Sequence, residues 1–291
     1  MTEGPRTLVT LTTTDVGDAM ELSVAAGWNQ SPTDWGLMIQ HGRAVGIRTS
    51  AGRLIATVVT MCYGPTYGWI AMLLVAEDRR RQGIGKYLFE DGVEHLNERG
   101  RVPVLDATPA GEELYRRSGF SGSYRVYRMA RPGEGLRPAA ADAPPSTSRE
   151  SVAEAKDDEI DALTATDTAV TDFERADILR DIGRRTDSRV FRDVDKGASV
   201  ALLRRGHHAW HIGPVYSEHP EGARRVMDRA LSVVGDAPVY MDVVAEQEEL
   251  IRYMESKSFV MQRPFLRMVV GEAIQTAPPG MLVATAGPEY G

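Results

Sequence analysis

The sequence predicts an α+β (mixed α/β) chain built as two domains in tandem, each with a mostly antiparallel central sheet flanked by helices. Three observations carry that expectation. Residues 43–75 alternate β-branched and aromatic runs with the turn punctuation TSAGR and YGPTYG, the pattern of consecutive antiparallel strands. Helical periodicities stand on both sides of those strands. The stretch RPGEGLRPAAADAPPSTSRE at 131–150 has no apolar period, so it cannot bury enough surface to offset its ordering entropy. It reads as a linker over 132–152 between a first domain at 1–131 and a second at 153–291.

In the first domain, Val16, Ala19, Met20 and Val24 recur at helical spacing, with Thr14 or Asp15 as N-cap. The strands of 43–75 follow, the last ending at Val75. Ile84, Tyr87, Leu88 and Leu96 then share one side of a helix running from about Gly83 to Arg99. VPVLDAT is a short strand, and GEELYRRSG a helix that stops at Gly119, a residue suited to the C′ position.

Composition narrows the function. With 42% hydrophobic and 26% charged residues over 291 positions, the chain has ordinary globular composition and more length than one small core takes. A formal net charge of −7 argues against bulk binding to nucleic acid or to an acidic membrane, which need a basic face. There is no apolar run long enough to span a bilayer, and MTEGPRTLVT lacks the features of a signal peptide, so a cytoplasmic location is expected. The single cysteine, Cys62, offers neither an internal disulfide nor a thiolate metal cage, and reads as a packed core thiol. His207, His208 and His211 lack an acidic partner at ligand spacing, so no metal is expected.

Against that acidic background EDRRRQGIG, at 77–85, concentrates positive charge and bare backbone. A strand ending at Val75, a glycine-containing loop and a helix starting near Gly83 aim several unpaired N–H groups at one point, which attracts an anion. A Cβ at Gly83 or Gly85 would hold phosphate oxygens away, while Arg80, Arg81 and Lys86 add charge-assisted bonds. The loop has no Gly-Lys-Ser/Thr, which excludes a Walker loop, and its glycine spacing does not fit the dinucleotide fingerprint.

LLVAEDRRRQGIGKYL resembles the acetyl-CoA loop of the GCN5-related N-acetyltransferases, the GNAT family. That family's signature is Gln/Arg-x-x-Gly-x-Gly/Ala after its fourth strand, and Arg80, Gly83 and Gly85 occupy the fixed places. DATPAGEELYRRSGF is similar to the next motif of the family, a helix carrying Leu-Tyr-x-x-x-Gly-Phe after the fifth strand. AGWNQSPTDW, MLLV and LDATPAG further resemble a bacterial two-domain subfamily whose second half is a degenerate GNAT-like domain. Residues 210–268 support this: they repeat the order strand, loop, helix, strand ending in Asp, helix, strand, setting Asp242 against Asp106. The second loop, SEHPEGARR, keeps one glycine and brings Glu218 and Glu221 where arginines stood, so one acetyl-CoA site is expected, in the first half.

The resemblance implies direct acetyl transfer from acetyl-CoA to a primary amine of a small or amino-acid-like acceptor. The rival expectations are a protein lysine or N-terminal acetyltransferase and a non-catalytic acyl-CoA-binding regulator. It implies cofactor contacts from Leu73, Leu74 and Val75, whose backbone N–H groups face the oxyanion, and from Arg80, Arg81, Gln82, Gly83, Ile84, Gly85 and Lys86. Thr108 stands where many members have a cofactor-contacting asparagine. Tyr115 matches the general acid of the family, and Asp106 is the candidate base or ammonium anchor. GWNQSPTDW is expected to be a loop over the acceptor pocket, with Trp28 and Trp35 as walls and Asn29 and Asp34 as polar readers. The apolar run near the end, MLVATAG, is expected to dock as a strand. A monomer or homodimer is expected.

Overall fold

The computed structural model describes residues 7–133, 157–193, 199–271 and 281–291. Beyond residue 133 the expected linker lies outside the described residues. The first half runs β1 (Leu8–Thr10), α1 (Val16–Ala25), α2 (Pro32–His41), β2 (Gly42–Arg48), β3 (Leu54–Tyr63), β4 (Tyr67–Val75), α3 (Ile84–Glu98), β5 (Val102–Ala107), α4 (Glu112–Arg117) and β6 (Phe120–Arg131). The second runs α5 (Asp157–Thr171), α6 (Ala176–Gly183), β7 (Ser188–Asp193), β8 (Ser199–Arg205), β9 (Trp210–Ser217), α7 (Pro220–Val234), β10 (Val239–Val244), α8 (Glu248–Ser256), β11 (Val260–Val270) and β12 (Leu282–Ala284). No helix among the described residues is long and apolar enough to cross a membrane.

The sheets of the two halves are continuous. The twelve strands of the described residues form one sheet in the order β1-β2-β3-β4-β5-β11-β6-β10-β12-β9-β8-β7. The halves exchange their long C-terminal strands: β11 pairs antiparallel with β5, and β6 pairs antiparallel with β10 and β11. Each exchanged strand carries a buried arginine across the join. Arg267 of β11 stands opposite Asp106 of β5 and donates to both its oxygens, at 2.6 and 3.0 Å. Arg128 of β6 stands opposite Asp242 of β10 and does the same, at 2.8 and 2.7 Å. The partners of each pair are almost wholly buried, so each charge depends on the other.

Close backbone approach explains why α3 can lie flat on the sheet. At Gly68 of β4 a Cβ would sit 2.4 Å from the Leu96 side chain of α3, a contact only glycine permits. Ile84, Leu88 and Leu96 lie on the buried face of α3 as their spacing predicts, with Phe89 beside them, whereas Tyr87, expected on that side, is exposed. Cys62, expected in the core, is exposed instead, the one outward position in the second half of a strand otherwise buried on both faces.

The α1–α2 segment also differs from expectation. GWNQSPTDW is not all loop, because Ser31, Pro32 and Asp34 start α2. The Asp34 backbone N–H donates to Ser31 Oγ, the Ser31 N–H donates to Asp34 Oδ2, and Pro32 fills the first turn.

Candidate active site

The site grows from an incomplete strand pairing. β4 and β5 run parallel and pair only at Tyr67/Val102, Gly68/Pro103 and Trp69/Val104. Beyond Trp69 they diverge, leaving that edge of β4 without a strand partner in β5. A bulge deepens the opening: the pairing of β4 with β3 shifts register between Thr57 and Val59, and Met72 takes a positive φ of 51°. Thr57 Oγ1 donates to the Met72 carbonyl at 2.8 Å and holds the kink. The resulting cleft, about 660 Å³ including its open mouth, is lined by Met72, Leu73, Asp106, Thr108 and Tyr115 of the first half, among others.

At the end of β4 the chain enters the basic loop. Gly83 caps α3 in the left-handed region, φ 76°, and no side chain caps the first-turn N–H groups. Arg80, Arg81, Gln82, Gly83 and Lys86 are exposed, Gly85 is partly exposed and Ile84 points into the core. A Cβ at Gly85 would meet only Val75, at 3.5 Å. Arg80 Nε donates to the Val75 carbonyl at 3.3 Å, which pins the loop to the strand end. These groups fit a pyrophosphate: uncapped amides at a helix N-terminus, surrounded by cations. The loop residues themselves do not line the cleft, and Leu74 packs into the core. Val75, at the end of β4, joins the loop to Leu73, which lines the cleft.

Tyr115 projects from α4 into the cleft and packs against Phe89, with ring centroids 4.9 Å apart. Burial pushes its phenol up to about 12. Gly111 makes room for the ring, since a Cβ there would lie 2.7 Å from it. Asp106 also lines the cleft, but both of its oxygens accept from Arg267, whose guanidinium lies 4.6 Å over the Trp69 ring. Both of its oxygens are thus engaged by an arginine of the exchanged strand.

Of the four expected acceptor residues, only Trp28 lines the cleft. Asn29 is a tie between the halves: Nδ2 donates to the Ala209 carbonyl, and Oδ1 accepts from the N–H groups of His208 and Ala209. Asp34 is fully buried in α2, where Arg185 donates to it at 2.7 Å and Arg204 lies 3.6 Å away. Burial alone would raise its carboxyl, but the two guanidinium groups outweigh that and hold it at about 2. Trp35 is a core residue whose Nε1 donates to Ser23 Oγ at 2.8 Å. The helix start at Pro32 carries Asp34 and Trp35 away from the cleft.

The residues that the sequence reading passed over come mostly from the second half or from the exchanged strands. Gln30, Arg128, Arg263, Phe265, Pro288 and Glu289 complete the lining. Arg267 interrupts the apolar run PFLRMVV, which is a legible signal for a buried polar role. Nothing local marks Pro288 and Glu289. They arrive because β12 and the residues after it fold back: the Trp69 indole donates to the Pro288 carbonyl at 3.1 Å and Tyr63 Oη donates to the Tyr290 carbonyl at 2.8 Å. Arg204 and the Gln30 amide both donate to the Glu289 carboxylate. Among the described residues no group of three or more His, Cys, Asp or Glu is placed to hold a metal; His207 and His208 meet edge to face and His211 is buried elsewhere.

The second half repeats the splay and closes it. β9 and β10 pair in parallel only at Trp210/Val239 and His211/Tyr240. β12 then inserts between them, pairing with Tyr216 and Val215 on one side and Val243 on the other. At the start of α7, a Cβ on Gly222 would lie 2.1 Å from Ser199 Oγ, so the backbone there faces packed side chains.

An open parallel splay, a bulged strand beside it and an uncapped glycine-led helix define an acyl-CoA-type transferase fold. Comparison with known proteins agrees. Two family profiles match, each described as an acetyltransferase (GNAT) domain, over residues 41–122 and 163–280, together more than half of the chain. The chain belongs to the GNAT family and is a two-domain, GNAT-type N-acetyltransferase. Among solved structures, a Pyrococcus horikoshii protein assigned as an acetyltransferase superposes with a TM-score of 0.77 at 15% identity, over 100% of this chain and 98% of that one. A tandem GNAT protein from the clavulanic acid biosynthesis pathway superposes with a TM-score of 0.62 at 14% identity, over 92% of this chain and 100% of that one. A GCN5-related N-acetyltransferase from Kribbella flavida gives 0.51 at 14% identity, over 91% and 70%. No curated protein sequence matches this one.

Proposed function

We propose that the protein transfers an acetyl group from acetyl-CoA directly to a primary amine of a small-molecule or amino-acid-like acceptor, using a single site in the first half. The observation that carries this reading is the β4–β5 splay, open at the basic loop and walled at its other end by Trp28, Gln30, Pro288 and Glu289. Acetyl-CoA, when bound, supplies the thioester.

The residues of the chain divide the remaining work. The loop from Arg80 to Lys86 holds the pyrophosphate with backbone N–H groups and flanking cations. The free edge of β4 at the Met72–Leu73 bulge presents N–H groups to the developing oxyanion. Tyr115 donates a hydrogen bond to the departing sulfur. With its phenol near 12 and a thiol near 8.5, full proton transfer would be uphill by roughly 5 kcal/mol, so hydrogen bonding is its contribution. Asp106, held by Arg267, keeps the cleft wall in place. An alkylamine of pKa near 10.4 carries a cost of roughly 4 to 5 kcal/mol for exposing its lone pair at pH 7. Water at the cleft mouth takes that proton, because the lining carboxylates of Asp106 and Glu289 are both committed to arginines.

The walled acceptor end disfavours a protein acetyltransferase, which needs an open groove for an extended peptide. Calorimetric titration with acetyl-CoA, followed by thiol-release assays against amines, amino acids and peptides, tests the reading. Acetyl-CoA binding with thiol release to small amines is expected. Gly83→Glu is expected to weaken acetyl-CoA binding at least 100-fold, because it sets a carboxylate where the pyrophosphate lies. Binding without release to any amine points to the regulatory alternative, and no binding by the unmodified protein overturns the proposal.

A further inference from the structure

Four charged side chains line the cleft: Asp106, Arg128, Arg263 and Glu289. Three of them are neutralised in place. Asp106 is paired with Arg267, Arg128 with Asp242, and Glu289 with Arg204. Arg263 makes no hydrogen bond or ion pair with any described residue, although it is half-buried. Its only described electrostatic neighbours are the already paired Arg128 and Asp242 and the Tyr240 hydroxyl, and burial lowers its guanidinium from the usual range. Half-buried and still open to water, this guanidinium is the one charge among the described residues lining the cleft that is free to pair with an incoming anion.

A second polar residue with an unpaired atom, Gln30, lines the same cleft. Gln30 is nearly fully buried, its amide nitrogen donates to Glu289, and its Oε1 has no partner. One residue with an unpaired donor group and one with an unpaired acceptor therefore line a single cleft. Arg263 pairs in register with Arg128, three residues along β11 from Leu266, which stands opposite Ala107 at the end of β5. At about 3.3 Å per residue the anion site lies about 10 Å along the strand from the splay, before the reach of the side chain shortens the gap.

Resting on the proposed function, we propose that the acceptor is an amine bearing a carboxylate a few bonds away, of amino-acid size. Arg263 binds that carboxylate through its planar fork, and Gln30 turns its buried, unpaired Oε1 toward the amine N–H as the acceptor enters. A monoanion suits the site because one positive charge is uncompensated; a dianionic phosphate would leave surplus negative charge beside Glu289. The specificity residue thus comes from the second half, on the strand that the two halves exchange.

The test compares matched acceptors, amino acids against their carboxamides, in the thiol-release assay, with acetyl-CoA affinity measured calorimetrically alongside. The acid is expected to exceed its amide 10- to 100-fold in kcat/KM. Arg263→Gln is expected to bring that ratio near one, chiefly by raising KM for the acid, with the acetyl-CoA Kd kept, and Arg263→Lys to restore part of it. Equal rates for acid and amide in the unmodified protein, an Arg263→Gln loss that falls equally on both, or turnover confined to amines without a carboxylate would each overturn the inference while leaving the transferase reading intact. Failure of acetyl-CoA to bind the unmodified protein would instead remove the reading on which it rests.

Discussion

The clefts of the two halves begin alike and finish oppositely. In each, a parallel strand pair holds for two or three residues and then splays beside a helix that follows the loop. In the first half the splay stays open below an uncapped, glycine-led helix ringed by Arg80, Arg81 and Lys86. In the second, β12 fills the splay with backbone pairing, and Glu218 and Glu221 stand by the helix start. The residues after β12 then leave the closed cleft and supply Pro288 and Glu289 to the open one. The comparison teaches that the same splay can be left open in one half and filled by backbone in the other, and that the filling segment goes on to line the open cleft.

The ion pairs that cross between the halves offer the sharpest way to test this arrangement. Arg267→Met leaves Asp106 buried without its partner, and Arg128→Met does the same to Asp242. Each is expected to destabilise the protein by about 3 to 5 kcal/mol in denaturant unfolding, and replacing both partners of a pair with apolar residues is expected to recover most of the loss. If the halves are energetically equivalent, the two single variants lose similar amounts. A loss confined to one would show that a single exchanged strand holds the sheet together.

A pH dependence comes next in size and belongs to the closed half. His211 lies beside Asp242, with Oδ2 3.9 Å from its Nε2, and burial, reinforced by Arg204, pushes its imidazole down to about 3. The unfolded chain takes up that proton near 6.5 and the folded one only near 3. Stability is therefore complete above about 6.5 and is lost as pH falls towards 3, by roughly 3 kcal/mol at pH 4. His211→Gln is expected to flatten that limb of a stability-against-pH curve. An unchanged slope would mean that His211 is not held neutral.

The smallest effect is expected in the open half. Tyr115→Phe is expected to lower kcat 10- to 100-fold with acetyl-CoA affinity nearly kept, since only a hydrogen bond to the leaving sulfur is lost. Because its phenol titrates near 12, no alkaline fall in kcat between pH 9 and 11 is expected to disappear in the variant. A fall that does disappear would assign Tyr115 a proton-transfer role.

Local patterns carried part of this architecture. The strand run to Val75, the glycines and arginines of the loop, the periodicity of α3 and the Tyr115 helix were all legible, because each is a short-range pattern of spacing and backbone freedom. The start of α2 was legible too, since Ser31, Pro32 and Asp34 spell a capping box, and reading it would have separated Trp28 and Gln30, which face the cleft, from Asp34 and Trp35, which do not. The acceptor wall was not legible in that way. Arg267 is visible as a charge in an apolar run, but which carboxylate it meets depends on strands more than 100 residues apart being laid side by side. By itself, then, the sequence determined the family, the basic loop and the acidic residues at the matching place of the second half, since those follow from residue type at fixed spacing. The tertiary structure decided the exchange of β6 and β11, the closing of the second splay by β12 and the pairing that leaves Arg263 alone in the cleft. Those depend on long-range register, which local spacing does not encode.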